Sequence, residues 1–279
     1  LERLGIDVGG TFTKFYDGKK KWKVKTPRSL KELIDLIKRE GKGKRISLAL
    51  AGLIDQREKT VKQSPNLPFI EGARLEELIG REILIVNDAT AACYGEYRLG
   101  AARGSSTCVC LTLGTGLGGG AVIGGAPLMG AIGCSMEVGH ITVEPRGWRC
   151  HCGREGCLES YVSSYGLERL YLIEGDKCLP SYKVIELIKK REEKALNVFK
   201  KFTEYLTLGV INLVHTFNPD TVVLCGGIVK EIPQIDKLVE RGVKEKALKL
   251  PGSCVKVKRG KLEEFSGAIG AYLLTEKVK

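Results

Sequence analysis

The stretch Glu137-Val-Gly-His140-Ile-Thr-Val-Glu-Pro-Arg-Gly-Trp-Arg-Cys150-His-Cys152-Gly-Arg-Glu-Gly-Cys157-Leu-Glu159 places three thiols and two imidazoles within eighteen residues. That set is enough to fill a tetrahedral Zn²⁺ site. Its spacing, His-x9-Cys-x-Cys-x4-Cys, differs from the common zinc-finger spacings, so no finger is read from it. His151 competes for the fourth position, but alternation along an extended chain points it away from the side shared by Cys150 and Cys152. His140 is therefore the expected ligand. His140, Cys150, Cys152 and Cys157 leave no coordination position open, which makes such an ion structural rather than hydrolytic. The competing reading is a chance cluster of buried cysteines. Glu137 and Glu159 flank the four donors. Carboxylates beside a closed metal knot point to a braced binding surface.

Outward from this knot, strand and helix patterns alternate. Leu4, Ile6 and Val8 form an alternating strand that runs into Gly9-Gly10, with further strands over 12–16 and 22–25. Leu30, Leu33, Ile34 and Ile37 share one helical face behind Ser29, a ready N-cap. Strands follow at 46–51 and 83–86, with helices at 74–79 and 89–99 and an irregular stretch through Pro65, Asn66 and Pro68. After Ser105 the pattern predicts a strand at 108–113, a glycine turn at 114–120 and a returning strand at 121–123. Helical patterns cover 158–173, 182–214 (with a break within it), 235–248 and 265–275, with strands at 221–225 and 255–257. This is an α/β chain. The expected division is a small lobe, 1–104, and a larger one, 105–279, with the helix 265–279 packing back on the first. A strand–glycine turn–strand unit opens each lobe.

Those turns carry the second part of the chemistry. In Asp7-Val-Gly9-Gly10-Thr11, glycines let backbone N–H groups turn inward as an anion nest. Thr11 adds a hydroxyl, and Asp7 is placed to hold Mg²⁺ through water. A plain hairpin turn is the alternative. Gly114-Thr115-Gly116 and the glycines after it repeat the pattern too densely for a mere hairpin, which favours phosphate contact. Cys225-Gly226-Gly227, between a strand and a helix, suits close approach of an adenosine or a simple turn. No Walker pattern is present. Asn87-Asp88 stands where a strand gives way to a helix. Asp88 either caps that helix or, with Asn87, clamps a polyol at a strand end, the usual place for a site in open α/β folds.

Bulk properties set the limits. The 279 residues suffice for two lobes, and 43% hydrophobic with 28% charged content is ordinary for a globular protein. No run approaches the roughly 18 apolar residues of a membrane span. No signal-peptide zones are read at the N-terminus, so the cytoplasm is the expected compartment. Seven of the ten cysteines lie outside the knot, mostly in apolar segments where they act as small hydrophobes. The net charge of +12 raises nucleic-acid binding, but the lysines are dispersed, and no membrane or nucleic-acid partner is expected. The densest run, Lys19 to Lys25 around Trp22, reads as a hairpin edge where lysines discourage strand pairing.

Taken together, these residues resemble the ROK family of sugar kinases and sugar-responsive repressors, within the actin-like ATPase superfamily. The likeness runs in the family's order over Asp7 to Thr11, Ala51-Gly52, Pro65-Asn66, Asn87-Asp88, Gly114-Thr115-Gly116, Glu137 to His140, the knot through Glu159, and Phe217-Asn218-Pro219 before Gly226-Gly227. The resemblance implies a two-lobed, ribonuclease H-like fold, each lobe a mixed sheet flanked by helices. The family's repressors carry a winged helix before the first phosphate loop. Here that loop begins within seven residues of the chain start, which points to the kinase branch. Among its kinases, glucokinases are most similar, although Phe69-Ile70-Glu71 stands where that group usually has a tryptophan.

The implied reaction moves the γ-phosphoryl of ATP to a hexose hydroxyl, first of all O6 of glucose. Asp88 would take the hydroxyl proton, while Asn66, Asn87, Glu137, His140 and Glu159 hold the remaining sugar hydroxyls. Asp7, Gly9, Gly10 and Thr11, with Gly114, Thr115 and Gly116, would cradle phosphates and Mg²⁺. Gly226 and Gly227 would meet the adenosine. A homodimer is implied, since dimers are frequent in the family. The alternatives are a kinase for N-acetylmannosamine, N-acetylglucosamine or fructose, polyphosphate in place of ATP, a non-catalytic sugar-sensing regulator, and an ATP-hydrolysing activator holding an iron–sulfur cluster.

Overall fold

The computed structural model describes residues 2–175 and 177–277. The end of the expected helix 265–279 lies outside the described residues. In chain order the strands are β1 (Glu2–Val8), β2 (Phe12–Tyr16), β3 (Lys21–Lys25), β4 (Lys44–Leu50), β5 (Leu53–Asp55), β6 (Thr60–Gln63), β7 (Leu84–Asn87), β8 (Thr107–Leu113), β9 (Leu117–Ile123), β10 (Ala126–Pro127), β11 (Thr221–Cys225) and β12 (Lys256–Arg259). The helices are α1 (Leu30–Glu40), α2 (Leu75–Ile79), α3 (Asp88–Leu99), α4 (Glu159–Val162), α5 (Ser164–Gly175), α6 (Ser181–Lys189), α7 (Glu193–Phe217), α8 (Gly227–Glu231), α9 (Ile235–Lys246), α10 (Lys249–Cys254) and α11 (Ser266–Leu274).

Two compact units divide the chain, the first comprising Leu1–Arg103, Gly120–Met136 and Glu264–Lys279, the second Gly104–Gly119 and Glu137–Glu263. In the first unit the sheet order is β3-β2-β1-β4-β7, antiparallel at β3-β2-β1 and parallel from β1 onward. β1 is central and buried on both faces. Leu4, Ile6 and Val8 pack into a core with Leu48, Leu50, Leu33 and Ile37. The opposite face meets α11, which also packs on α3. Ser29 Oγ accepts from Glu32 N–H at 3.3 Å and so starts α1. β3 is an edge strand whose lysines 21, 23 and 25 are exposed, the placement that keeps an unpaired edge from pairing elsewhere.

In the second unit β8 lies between β11 and the start of β9, and β12 pairs with β11. The 25-residue α7 spans this unit and ends at Asn218, whose left-handed conformation (φ 44°) and following Pro219 stop the helix.

The glycine run differs from the expected turn. Only Gly114 to Gly116 lies between strands, and Gly118 to Gly120 belong to β9. The reason is packing: a Cβ on Gly120 would stand 2.6 Å from Cys93 Cβ and 2.7 Å from Ala89 O, so α3 seats directly on the strand. The irregular stretch before Pro65 contains the β5–β6 hairpin. The helix expected over 158–173 breaks at Ser163, where an extended residue (ψ 179°) separates α4 from α5. α10, with Pro251 tolerated in its first turn, displaces the expected strand at 255–257 to β12. Cys178 and Cys254 are exposed rather than buried.

Candidate functional site

In the first unit, β1 ends at Asp7 and Val8, and Gly9, Gly10 and Thr11 form the turn into β2. Gly9 N–H closes the turn on Phe12 O at 3.1 Å, and Thr26 Oγ1 donates to Gly9 O at 2.6 Å. Asn66 is exposed, and its backbone oxygen would lie 3.2 Å from a Cβ on Gly10. Asp7 is 8% exposed. Burial raises its carboxyl above the ordinary range, opposed by Lys14, whose Nζ lies 3.3 Å from Oδ2. Sequence reasoning missed Lys14. The signal was available in the hairpin register, which sets it directly opposite Asp7.

The Asn87-Asp88 pair divides its labour in an unexpected way. Asn87, not Asp88, is the N-cap of α3, its Oδ1 accepting from Ala89 N–H at 2.9 Å and Thr90 N–H at 3.2 Å. Its Nδ2 donates to Gly52 O at 3.2 Å, so one amide hydrogen remains for another partner. Asp88 is the first residue of the helix, and Oδ1 accepts from Ala89 N–H at 2.9 Å. It is half-buried by surface area, yet protein atoms crowd the carboxyl. This crowding, together with the negative charge of Asp7, pushes its pKa up to about 6. A carboxylate so poised is suited to take a proton near neutrality.

In the second unit, Gly114 N–H donates to Gly116 O at 3.0 Å and Gly114 O accepts from Ser164 N–H at 2.8 Å. Thr115 is exposed. After β11, Gly226 adopts φ 98°, and a side chain there would strike Leu113 O at 2.2 Å, so only glycine fits. Gly226 and Gly227 are exposed at the start of α8.

The four sequence-chosen donors converge. A zinc ion at about 2.3 Å from sulfur and about 2.0 Å from nitrogen requires ligand separations of roughly 3.5–3.8 Å. Cys150 Sγ lies 3.8 Å from His140 Nδ1, Cys152 Sγ lies 3.6 Å from Cys157 Sγ, and all four donor atoms fall within 4.8 Å of one another. The set fits such an ion. Burial and the neighbouring Cys152 and Cys150 thiols push the Cys157 thiol up to about 12, and a bound cation would reverse that preference. His151 is outside the group and packs against Tyr165 in a tilted ring pair, with centroids 4.2 Å apart. Glu137 is exposed just before the turn Val138–His140. Glu159 Oε2 accepts from Leu117 N–H at 2.8 Å, and Oε1 accepts from the Tyr165 hydroxyl at 3.1 Å. Tyr165 gave no signal in the sequence, because it reaches Glu159 only after the break at Ser163.

The sequence profile of the ROK family matches residues 3–278. The chain belongs to the ROK family. It is 33% identical over 262 residues to a glucokinase of Thermotoga maritima, with 82% of each protein covered. Among solved structures it is similar to the ROK hexokinase of Thermus thermophilus, with 30% identity, TM-score 0.85, and 98% of this chain and 97% of that one covered. It is also similar to a ROK family glucokinase of Streptomyces griseus in complex with glucose and AMPPNP, with 27% identity, TM-score 0.82, and 99% and 100% covered. The mixed sheets flanked by helices are those of this family's actin-like ATPase fold. Among the described residues no helix is long and apolar enough to cross a membrane.

Proposed function

We propose that this ROK protein transfers the γ-phosphoryl of ATP to a hexose hydroxyl, with O6 of glucose as the first acceptor. The observation that carries the reading is Asp88, a carboxyl held near pKa 6 at the start of α3 beside Asp7, in a chain one-third identical to a glucokinase. Phosphoryl transfer asks for positioning and charge neutralisation more than covalent chemistry. Asp88 aligns the hydroxyl and accepts its proton as the new P–O bond forms. The bond to the ADP oxygen breaks, and ADP leaves.

In the first unit, Gly10 and Thr11 offer N–H and hydroxyl donors to phosphate, Gly9 shapes the turn with its own N–H on Phe12 O, and Lys14 adds a cation beside Asp7. A buried carboxylate with raised pKa favours a neighbouring cation, so Asp7 fits the role of holding Mg²⁺ through water, where the ion neutralises phosphate charge. In the second unit, Thr115 and Gly116 offer a second set of donors on a turn that the Gly114 N–H closes on Gly116 O, and Gly226 with Gly227 admit the nucleoside. In the first unit Asn66 and Asn87, and in the second Glu137, His140 and Glu159, offer polar groups suited to the other sugar hydroxyls. With Nδ1 on the metal side, His140 keeps Nε2 for the sugar. Zinc on His140, Cys150, Cys152 and Cys157 acts as scaffold, holding His140 and Glu159 in register. The protein works in the cytoplasm, where its donor is made, as a homodimer.

The test is product identification. Phosphorus and proton NMR on reactions with MgATP and glucose, N-acetylmannosamine, N-acetylglucosamine or fructose should show glucose 6-phosphate forming fastest. A clear preference for another sugar would reassign the acceptor, and a phosphate ester with none would reject the reading.

A further inference from the structure

Glu159 joins three parts of the second unit. Oε2 holds Leu117 N–H at 2.8 Å, Oε1 holds the Tyr165 hydroxyl at 3.1 Å, and Cys150 Sγ of the donor group lies 3.8 Å from Oε1. Gly116 is pressed against the same carboxylate, since a Cβ there would lie 2.6 Å from Oε2. The other end of the turn is also tied to the segment after the knot, through Ser164 N–H on Gly114 O at 2.8 Å. Glu159 follows Cys157 by two residues, so whatever fixes Cys150 and Cys157 fixes its backbone.

We infer that Glu159 is a positioning residue for the Gly114–Leu117 turn and carries the state of the metal knot to it. Metal loading then sets affinity for the phosphoryl donor as well as for the sugar. The inference rests on the kinase reading for what the turn binds. A carboxylate accepting a backbone N–H is among the stronger hydrogen bonds, and here it fixes the residue that closes the turn. A purely sugar-binding Glu159 has no need of Leu117. When the four donors lose their ion, Cys150 and Cys157 are no longer pinned, and the backbone that sets Glu159 against the Leu117 amide loses its anchor.

The test uses the full chain with Glu159→Ala, Glu159→Gln and Tyr165→Phe. It measures calorimetric affinity for a non-hydrolysable ATP analogue and for glucose, metal content, and hydrogen exchange at the Leu117 amide. Glu159→Ala is expected to keep its metal, weaken analogue binding about tenfold and speed Leu117 exchange by a similar factor. Glu159→Gln, which keeps an acceptor oxygen, should restore most of both. Tyr165→Phe should shift both in the same direction by less. Chelation of the wild type should speed Leu117 exchange as Glu159→Ala does. If Glu159→Ala weakens only glucose binding, Glu159 is a sugar contact alone and the inference fails. Leu117 exchange that ignores chelation also rejects it while leaving the kinase reading intact. Wild-type protein that neither binds the analogue nor forms product removes both.

Discussion

Lys14 Nζ stands 3.3 Å from Asp7 Oδ2 across the β1–β2 hairpin, and it is the cation that opposes the burial of this carboxylate. Burial raises the Asp7 pKa and Lys14 lowers it, so removing the lysine favours the protonated acid. Lys14→Met should therefore lower kcat/KM for ATP by about 10²-fold and move the acid limb of the ATP profile to higher pH. Glucose affinity should stay within about twofold, because that lysine bonds Asp7 and acts on Asp88 only through space. Steady-state kinetics at varied ATP and Mg²⁺ would check this.

Asp88 links activity to pH. Acting as a base, it must be ionised, so kcat/KM should fall as pH drops through about 6, the pKa that burial and Asp7 impose. Asp88→Asn should lose about 10²–10⁴-fold in kcat while sugar binding persists. Stability should move the other way. A folded pKa above the ordinary carboxylate value means that the fold prefers the protonated form. That stabilisation is complete below the unfolded pKa of about 3.9 and is lost as pH rises through about 6. Above this range the charge opposes folding. At pH 7.5 the Asn variant should be more stable by about 1 kcal/mol, reduced for solvent at a half-buried group. Denaturant titrations at pH 5 and 7.5 would show whether the gain is larger at the higher pH.

The knot should behave as a scaffold. Cys152→Ser removes an exposed ligand whose partner Sγ lies 3.6 Å away. The variant should bind less than one zinc per chain, lose about 2–5 °C or more in Tm and raise the KM for sugar. Metal analysis, calorimetry and kinetics on the same preparation would test this. Tight zinc retention with unchanged KM would argue against the four-donor assignment.

Gly120 controls the seat of α3 and hence the placement of Asp88. Gly120→Ala would force Cβ to within 2.6 Å of Cys93 and 2.7 Å of Ala89 O. A destabilisation of about 1–3 kcal/mol is expected, with kcat reduced more than sugar KM. A matched Cys93→Gly background should recover part of the kinetic loss if the Cβ contact is the cause.

The sequence made some levels of this structure plain and hid others. Periodicity marked β1, β2, α1 and β11, because each buries one regular face or a continuous apolar run. It misjudged the glycine run, since the glycines of β9 answer to α3, an element far away in the chain. It passed over β5 and β6, whose pairing is set by the hairpin and not by their length. The four thiol and imidazole donors are near neighbours in sequence, so local spacing alone brings them together. Lys14 and Tyr165 matter only through strand register and a helix break, and neither leaves a motif. The assignment of Asn87 as cap and Asp88 as first helical residue turns on a one-residue boundary that propensity does not resolve.

The most direct test of the account is ADP release by the metal-loaded protein with MgATP, measured with and without glucose, for wild type and Asp88→Asn. Glucose-dependent ADP formation is expected, with one sugar phosphate per ADP and near-complete loss in the Asn variant with glucose still bound. Glucose binding without ADP release by the wild type would contradict it and leave a sugar-sensing protein. Equal turnover by both proteins would remove Asp88 from the reaction.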